Sequence, residues 1–521
     1  MNELPIIERK YFESNEKPEK EMFIGGKFIY SESGKSLQIV NPYNGEITGS
    51  VPSATPKELK LAVKAAKKAT ENMKNMPLAE RQQLLNAVAK EIEKRIDKIA
   101  KTITLETGKP IEQAFIEAMY GAATFQIMAA SLSELKGSFI ESIVDPHRKF
   151  ALEIWEPMGV AAIITPNNFP FLLPCYIVSA AIAAGNAVVL KPASDAPLSA
   201  IHLAECFASA SATFPISERT PMPTTMLKVI RLPAGALNVI TGIGLGEMLA
   251  THPDIDVASV TGAIETGMKV YEAIGRNVTS SRVPKHILLE LGGCDPAIVF
   301  ADANLEEAAN KLAYGAFCWN GEVALSTQRI YVEKEVYEDF LDRFIKLAKE
   351  IKWGDPLDEE TEIGPLINKE TLDKNFKTIK DAKLKGAEIV GGANHGMILE
   401  PTVIYPMKPE MLVSYEESFG PVAGVSFFTS EEEALREANK TRYGLMSAVF
   451  TENLRKAFDM AKKLESGTVI INDSTEWFEP HIAFGGYKWS GTKGREGGIH
   501  AIKEFSKIKT IVIDYERHKQ T

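Results

Sequence analysis

The sequence predicts an α/β protein of more than one domain, built on parallel sheets covered on both faces by helices. Three observations point there. The chain has 521 residues, beyond the roughly 250–300 at which a single core stops growing. From Val160 onward, short and wholly apolar runs alternate with helical stretches, as in strands buried on both faces. Hydrophobic residues make up 45% and charged residues 25% of the chain, ordinary values for a globular protein.

Residues 1–22 read as an N-terminal extension, acidic in places and without the apolar core of a signal peptide. The run 23–29 reads as a strand, and Asn41-Pro42-Tyr43-Asn44-Gly45-Glu46 is a string of turn formers. Helical patterns follow from Pro56 to Met73, from Leu78 to Thr107 and from Pro110 to about Leu135. Their apolar residues recur at three- and four-residue intervals, as in Leu84, Leu85, Val88, Ile92 and Ile96. Strands are expected at 160–164, 187–190, 237–240 and 257–260. A second α/β series begins near Leu288, with strands at 297–300, 329–332 and 447–450. The tail 508–515 reads as a last strand, one that invites sheet extension between subunits. Residues 208–228, rich in Ser, Thr and Pro, read as a surface insertion.

Charge and composition exclude several classes. A net charge of −10 and the lack of a basic stripe argue against nucleic acid as a partner. The richest apolar stretch, 179–190, is broken by Gly185-Asn186 and falls short of the roughly 20 residues that a membrane span requires. No membrane partner and a cytoplasmic location are therefore expected. The four cysteines, Cys175, Cys206, Cys294 and Cys318, show neither Cys-x-x-Cys nor zinc-like spacing and read as buried thiols, with no metal expected.

Six local constellations carry chemistry. Ile164-Thr165-Pro166-Asn167-Asn168-Phe169-Pro170 ends an apolar strand in a polar loop, where ligands of open α/β sheets bind. A side-chain amide there can donate to an oxyanion, although Asn-Phe-Pro also makes an ordinary turn. Lys191 and Ser194 follow the next strand and suit a ribose or phosphate, or simply a strand-to-helix turn. Gly242-Ile243-Gly244-Leu245-Gly246 and Gly262-Ala263-Ile264-Glu265-Thr266-Gly267 offer backbone amides at helix starts, without the Gly-x-Gly-x-x-Gly spacing. Glu290, in Leu289-Glu290-Leu291-Gly292-Gly293, is a candidate general base if burial raises its pKa, or else a buried structural acid. Glu416-Glu417-Ser418-Phe419-Gly420-Pro421 and 483–491 read locally as turns beside aromatics.

In this order, from about Phe23 to Asp514, these segments resemble the aldehyde dehydrogenase superfamily. The resemblance implies a Rossmann-type cofactor domain (23–146 and 160–291, carrying the insertion 208–228), an α/β catalytic domain (292–490) and a small β oligomerisation element (147–159 and 505–516). It implies NAD or NADP as cofactor, a small-molecule aldehyde as substrate, and a homodimer or homotetramer. It makes Asn168 the oxyanion donor and Glu290 the general base. It places Ile164, Thr165, Pro166, Asn167, Lys191, Ser194, Gly244, Gly262, Ala263, Thr266, Leu291, Gly292, Glu417 and Phe419 against the cofactor. Ser194 stands where the family usually carries a glutamate, which removes a repulsion against a 2′-phosphate. Ala263 replaces a serine and with it a hydroxyl contact to phosphate.

The resemblance also implies a cysteine nucleophile in a Gly-Gln-x-Cys motif shortly before an arginine-led strand. Gly321-Glu322-Val323-Ala324, followed by Arg329, fits that register, so Ala324 holds the cysteine's position and Glu322 the glutamine's. A methyl group forms no thiohemiacetal. Three accounts stand: an engineered replacement that traps bound substrate, a natural member that has lost dehydrogenase activity and keeps its pocket, or chemistry moved to Cys318 or Cys294. Two further departures, Ile177 at a usual lysine and Asn167 at a usual aromatic, favour natural divergence. Trp319, Trp477 and Phe478 are candidates for an aromatic substrate wall.

Overall fold

The computed structural model describes residues 4–217, 225–281, 283–492 and 494–515. The wholly apolar runs become strands because only a sheet covered on both faces keeps such residues from water. One large sheet has the order His286–Leu291, Val257–Gly262, Val160–Ile164, Ala187–Lys191, Leu237–Val239, Met22–Ile24, Lys27–Ile29. Its first five strands run parallel. The last two form an antiparallel hairpin turned at Gly25 and Gly26, with φ of 61° and 80°, so the run 23–29 is two strands and not one.

The second large sheet has the order Glu388–Val390, Thr402–Tyr405, Val422–Phe428, Thr327–Glu333, Asp295–Val299, Met446–Phe450, Thr468–Ile471. The chain leaves the first sheet at Leu291 and enters the second at Asp295, so the second series begins after Leu288 and not at it. Gly292, Gly293 and Cys294 form the link between the sheets.

The helical pattern from Leu78 to Thr107 divides into Leu78–Glu93 and Ile96–Thr107. At the break the Arg95 guanidinium donates to the Glu91 carbonyl at 2.7 Å, satisfying the end of the first helix. Gly108, at φ 83°, closes the second. The helix Pro56–Asn75 starts at a capping box of Thr55 and Glu58.

A third, three-stranded sheet pairs Ser506–Asp514 with Lys149–Pro157, and the latter with Ser138–Glu141. It therefore takes in 138–141, which the expected boundary at 146 leaves with the cofactor part; residue 516 lies outside the described residues. From residue 4 on, the N-terminal extension packs against the fold. Tyr11–Ser14 pairs with Ser36–Val40, and Lys10 is buried with its ammonium donating to the Val40 carbonyl. In the expected insertion, Ala212–Ser217 and Thr225–Ile230 form an antiparallel hairpin with Leu227 and Val229 exposed; residues 218–224 lie outside the described residues. No helix among the described residues is long and apolar enough to cross a membrane.

Candidate active site

The carboxyl ends of the first sheet and the loop before Thr327–Glu333 open into one cavity of about 470 Å³. The structure brings together there Pro166, Asn167, Asn168, Gly262, Ala263, Glu290, Leu291, Gly292, Ala324, Glu417 and Phe419. Ile164, Thr165, Lys191, Ser194, Gly244 and Thr266 do not line it. Ile164 and Lys191 are register partners on neighbouring strands, and Thr165 N–H donates to the Lys191 carbonyl at 3.3 Å. Lys191 Nζ donates to the Pro192 carbonyl at 2.8 Å and to Ser194 Oγ at 3.3 Å. Ser194 in turn donates to the Gly242 carbonyl at 2.9 Å. Thr266 is exposed in the first turn of Ile264–Arg276.

Ala324 is half-buried and faces the cavity. The loop that carries it has left-handed backbone at three successive residues, Trp319, Asn320 and Gly321, with φ of 57°, 58° and 65°. For a residue as bulky as tryptophan this conformation is costly and persists only where neighbours enforce it. Trp319 N–H donates to Gln113 Oε1 at 2.8 Å, and its indole Nε1 donates to Glu476 Oε1 at 2.7 Å. Asn320 donates to the Gly108 and Pro365 carbonyls and accepts from Gly364 N–H at 2.8 Å. At Gly321 a side chain would run into the backbone of Gly420.

Asn168 Nδ2 donates to the Glu322 carbonyl at 2.9 Å, two residues before Ala324. Its own carbonyl accepts from Lys109 Nζ at 2.8 Å. Lys109 is buried in an ion pair with Glu117 and lies 3.8 Å from the Phe169 ring centre and 5.2 Å from that of Trp319. Burial pulls the Lys109 ammonium below the ordinary lysine range, against the attraction of Glu117. Glu117 Oε1 accepts from Phe171 and Leu172 N–H at 3.0 and 3.1 Å, capping the helix Leu172–Ala184 that follows the Asn168 loop. This buried pair was not legible in the sequence; its only signal there was a lysine and a glutamate eight residues apart on either side of a helix start.

Glu290 is buried, and its Oε2 accepts from Gly486 N–H at 3.3 Å. Burial, and then the negative charge of Glu496, pushes its carboxyl well above the ordinary carboxylate range. Glu496, also lining the cavity, is pushed up to about 8 by burial and then by Glu504. Glu322 is buried, accepts from Ile367 N–H at 3.0 Å and is raised to about 8, chiefly by burial. Glu417 accepts from Gly293 N–H at 3.1 Å and lies 3.6 Å from Lys374. Of the thiols, Cys318 is buried and raised well above its usual value by burial. Cys294 is pushed up to about 12 by burial, with Gln328 Nε2 at 3.2 Å from its sulfur. Neither resembles an activated nucleophile, which needs a depressed pKa or an adjacent base. The arrangement can hold a carbonyl beside an amide donor and a high-pKa carboxyl, with a methyl at the focus.

The aldehyde dehydrogenase family model matches residues 28–511. Lactaldehyde dehydrogenase of Methanocaldococcus jannaschii is 35% identical over 495 residues, which are 94% of this chain and 100% of that protein. Two solved structures superpose with a TM-score of 0.87. One is a cysteine-to-alanine mutant of P. syringae AldA indole-3-acetaldehyde dehydrogenase in complex with NAD+ and IAA, 31% identical over 96% of this chain and 97% of that one. The other is NADP-dependent glyceraldehyde-3-phosphate dehydrogenase of Bacillus halodurans complexed with NADP, 30% identical over 95% and 99%. A match of this identity, running through both large sheets and the small one, makes the chain a member of the aldehyde dehydrogenase family.

Proposed function

We propose that this chain is a nucleophile-free aldehyde dehydrogenase that binds NAD(P) and an aldehyde in the family's site but forms no thioester. The single observation that carries the reading is Ala324, whose methyl faces the same cavity as Asn168 and Glu290 while every described thiol is buried. The P. syringae relative, itself a cysteine-to-alanine mutant, was captured with NAD+ and IAA, so loss of a thiol is compatible with binding in this fold.

Two features of the backbone beside the cavity support a dinucleotide as ligand. At Gly244 and Gly262 the space a Cβ would fill is open, which lets a ligand approach the backbone. The helix Ile264–Arg276 starts at Ala263 with no side-chain cap, leaving amides free for phosphate. Lys191, Ser194, Gly244, Gly262, Ala263 and Thr266 would hold the adenosine and phosphates, and Leu291, Gly292, Glu417 and Phe419 the nicotinamide side. With Ser194 in place of a carboxylate, a 2′-phosphate meets no repulsion there, which supports NADP at least as well as NAD. When bound, the nicotinamide supplies a hydride acceptor. Glu290 would hold a proton close to the carbonyl and Asn168 would orient its oxygen. The exposed Ile508, Ile511 and Val512 of the strand Ser506–Asp514 support dimer or tetramer formation through the small sheet.

Purified chain is expected to bind NADP or NAD by calorimetry and to give no reduced-cofactor absorbance with a broad aldehyde panel. Ala324→Cys tests whether the remaining site is competent, and is expected to gain turnover. Turnover by the native chain would overturn the reading, and its loss in Cys318→Ser or Cys294→Ser would locate the nucleophile at that thiol.

A further inference from the structure

The family match begins at residue 28, and the segment before it buries a cation. Ile7 joins the core cluster of the second large sheet with Met397 and Ile404, and Tyr11 packs against the core of the first. Lys10, between them in the chain, is buried. Its ammonium donates to the Val40 carbonyl, its one hydrogen bond among the described residues, and Val40 N–H donates back to the Lys10 carbonyl at 3.0 Å. Asp195 attracts the ammonium most, ahead of Glu106 and Glu322. Those two acids are engaged elsewhere: Glu106 accepts from Leu198 and Ser199 N–H at 2.8 and 2.9 Å, and Glu322 from Ile367 N–H at 3.0 Å.

Asp195 is placed to use that charge. Its Oδ2 accepts from Asn167 Nδ2 at 2.8 Å and from Asn368 Nδ2 at 3.2 Å, and both asparagines line the cavity. Asn167 belongs to the loop after the first-sheet strand Val160–Ile164, whereas Asn368 caps the helix Lys369–Leu384 in the part built on the second sheet. One carboxylate oxygen therefore ties the two large parts together at the cavity wall. Bonds to an ionised acceptor are roughly twice as strong as neutral ones, and a cation behind the acid offsets the cost of holding a negative charge there. Lys191 also acts on Asp195, but its Nζ is bonded to the Pro192 carbonyl and Ser194. We propose that Lys10 is a positioning residue for the cofactor: acting through Asp195, its charge holds Asn167 and Asn368 together and so fixes the wall against which NAD(P) lies. This rests on the NAD(P) reading above and adds to it a residue outside the family match.

NADP and NAD are titrated by calorimetry into the full chain and its variants. Lys10→Met keeps the stem's volume and removes the charge, and is expected to weaken cofactor binding about tenfold. In an Asp195→Asn background the same change is expected to cost less than about twofold; a loss of full size there would mean that Lys10 acts directly on the phosphates or through packing, and would overturn the route through Asp195. Lys10→Ala leaves room for propylammonium, which has the missing three carbons and the nitrogen. Propylammonium is expected to restore most of the affinity and 1-propanol, its neutral counterpart, is not; equal rescue by both overturns the role of charge. Asp195→Asn alone needs no buried replacement and keeps the test open where Lys10 variants do not fold. Hydrogen exchange in it is expected to quicken at 166–171 and 368–371, and unchanged protection at both overturns the bridge. Unaltered cofactor affinity in Lys10→Met overturns this inference and leaves the site reading intact, whereas a native chain that binds neither cofactor overturns that reading itself.

Discussion

Lys109→Met removes an ammonium from a place where no other cation among the described residues pairs with Glu117. The side chains of Lys109 and Glu117 are 4% and 0% exposed, so water does not take over. Methionine fills the lysine stem, and the change is therefore mainly one of charge and hydrogen bonding. Four favourable contacts disappear: the ion pair, the 2.8 Å bond to the Asn168 carbonyl and the contacts with the Phe169 and Trp319 rings. Removing one partner of a buried pair costs about 3–5 kcal/mol, because the other charge is left unpaired. Glu117 keeps its two amide donors, Phe171 and Leu172 N–H, which places the expected loss towards the lower end, about 3 kcal/mol. The double variant Lys109→Met/Glu117→Gln retains an acceptor for those amides without the unpaired charge. It is expected to be more stable than Lys109→Met alone, and below the native chain by about 1–2 kcal/mol for the lost bond to Asn168. Urea unfolding followed by tryptophan fluorescence at neutral pH measures the three chains. A Lys109→Met protein as stable as the native one, or a double variant less stable than the single, would refute the claim that this buried pair stabilises the fold.

Glu322→Gln tests a pH dependence with a definite sign. The Glu322 carboxyl is raised by burial from 4.5 to about 8, so the folded chain holds this proton more tightly than the unfolded one. Its contribution to stability is fully present below about pH 4.5 and is lost as pH rises to about 8. Native stability measured relative to Glu322→Gln should fall across that window, by at most a few kcal/mol, and level off above it; a flat difference would show that Glu322 does not titrate there. Ser194→Glu restores a carboxylate beside the groove. It is expected to weaken NADP binding about tenfold through like-charge repulsion and to leave NAD within about twofold; equal loss for both cofactors in calorimetry would remove Ser194 from the 2′-phosphate site.

Local strings made part of this protein legible. Strands buried on both faces announce themselves as unbroken apolar runs, so four strands of the first large sheet and three of the second were readable from 160 onward, while His286–Leu291, Thr402–Tyr405, Val422–Phe428 and Thr468–Ile471 were not. The loops at their carboxyl ends were readable with them. Asn168, Glu290, Glu417 and Phe419 sit in short motifs beside those strands, and the stretch from Gly321 to Arg329 singled out Ala324, which lines the same cavity. Sequence did not locate groups that meet across the fold. Lys109 reaches Asn168 across 59 positions and Trp319 reaches Glu476 across 157, distances over which no periodicity operates. The break at Arg95 was not announced by any helix breaker in the sequence, and the left-handed turn at Trp319 and Asn320 depended on partners from Gln113 to Glu476. Backbone propensity and patterning act over a few residues and so belong to the sequence. Charge pairing, desolvation and enforced strain depend on which groups the folded chain brings within a few ångströms, and tertiary structure alone decided that Lys109 meets Glu117 and Asn168 and that the Trp319 indole meets Glu476.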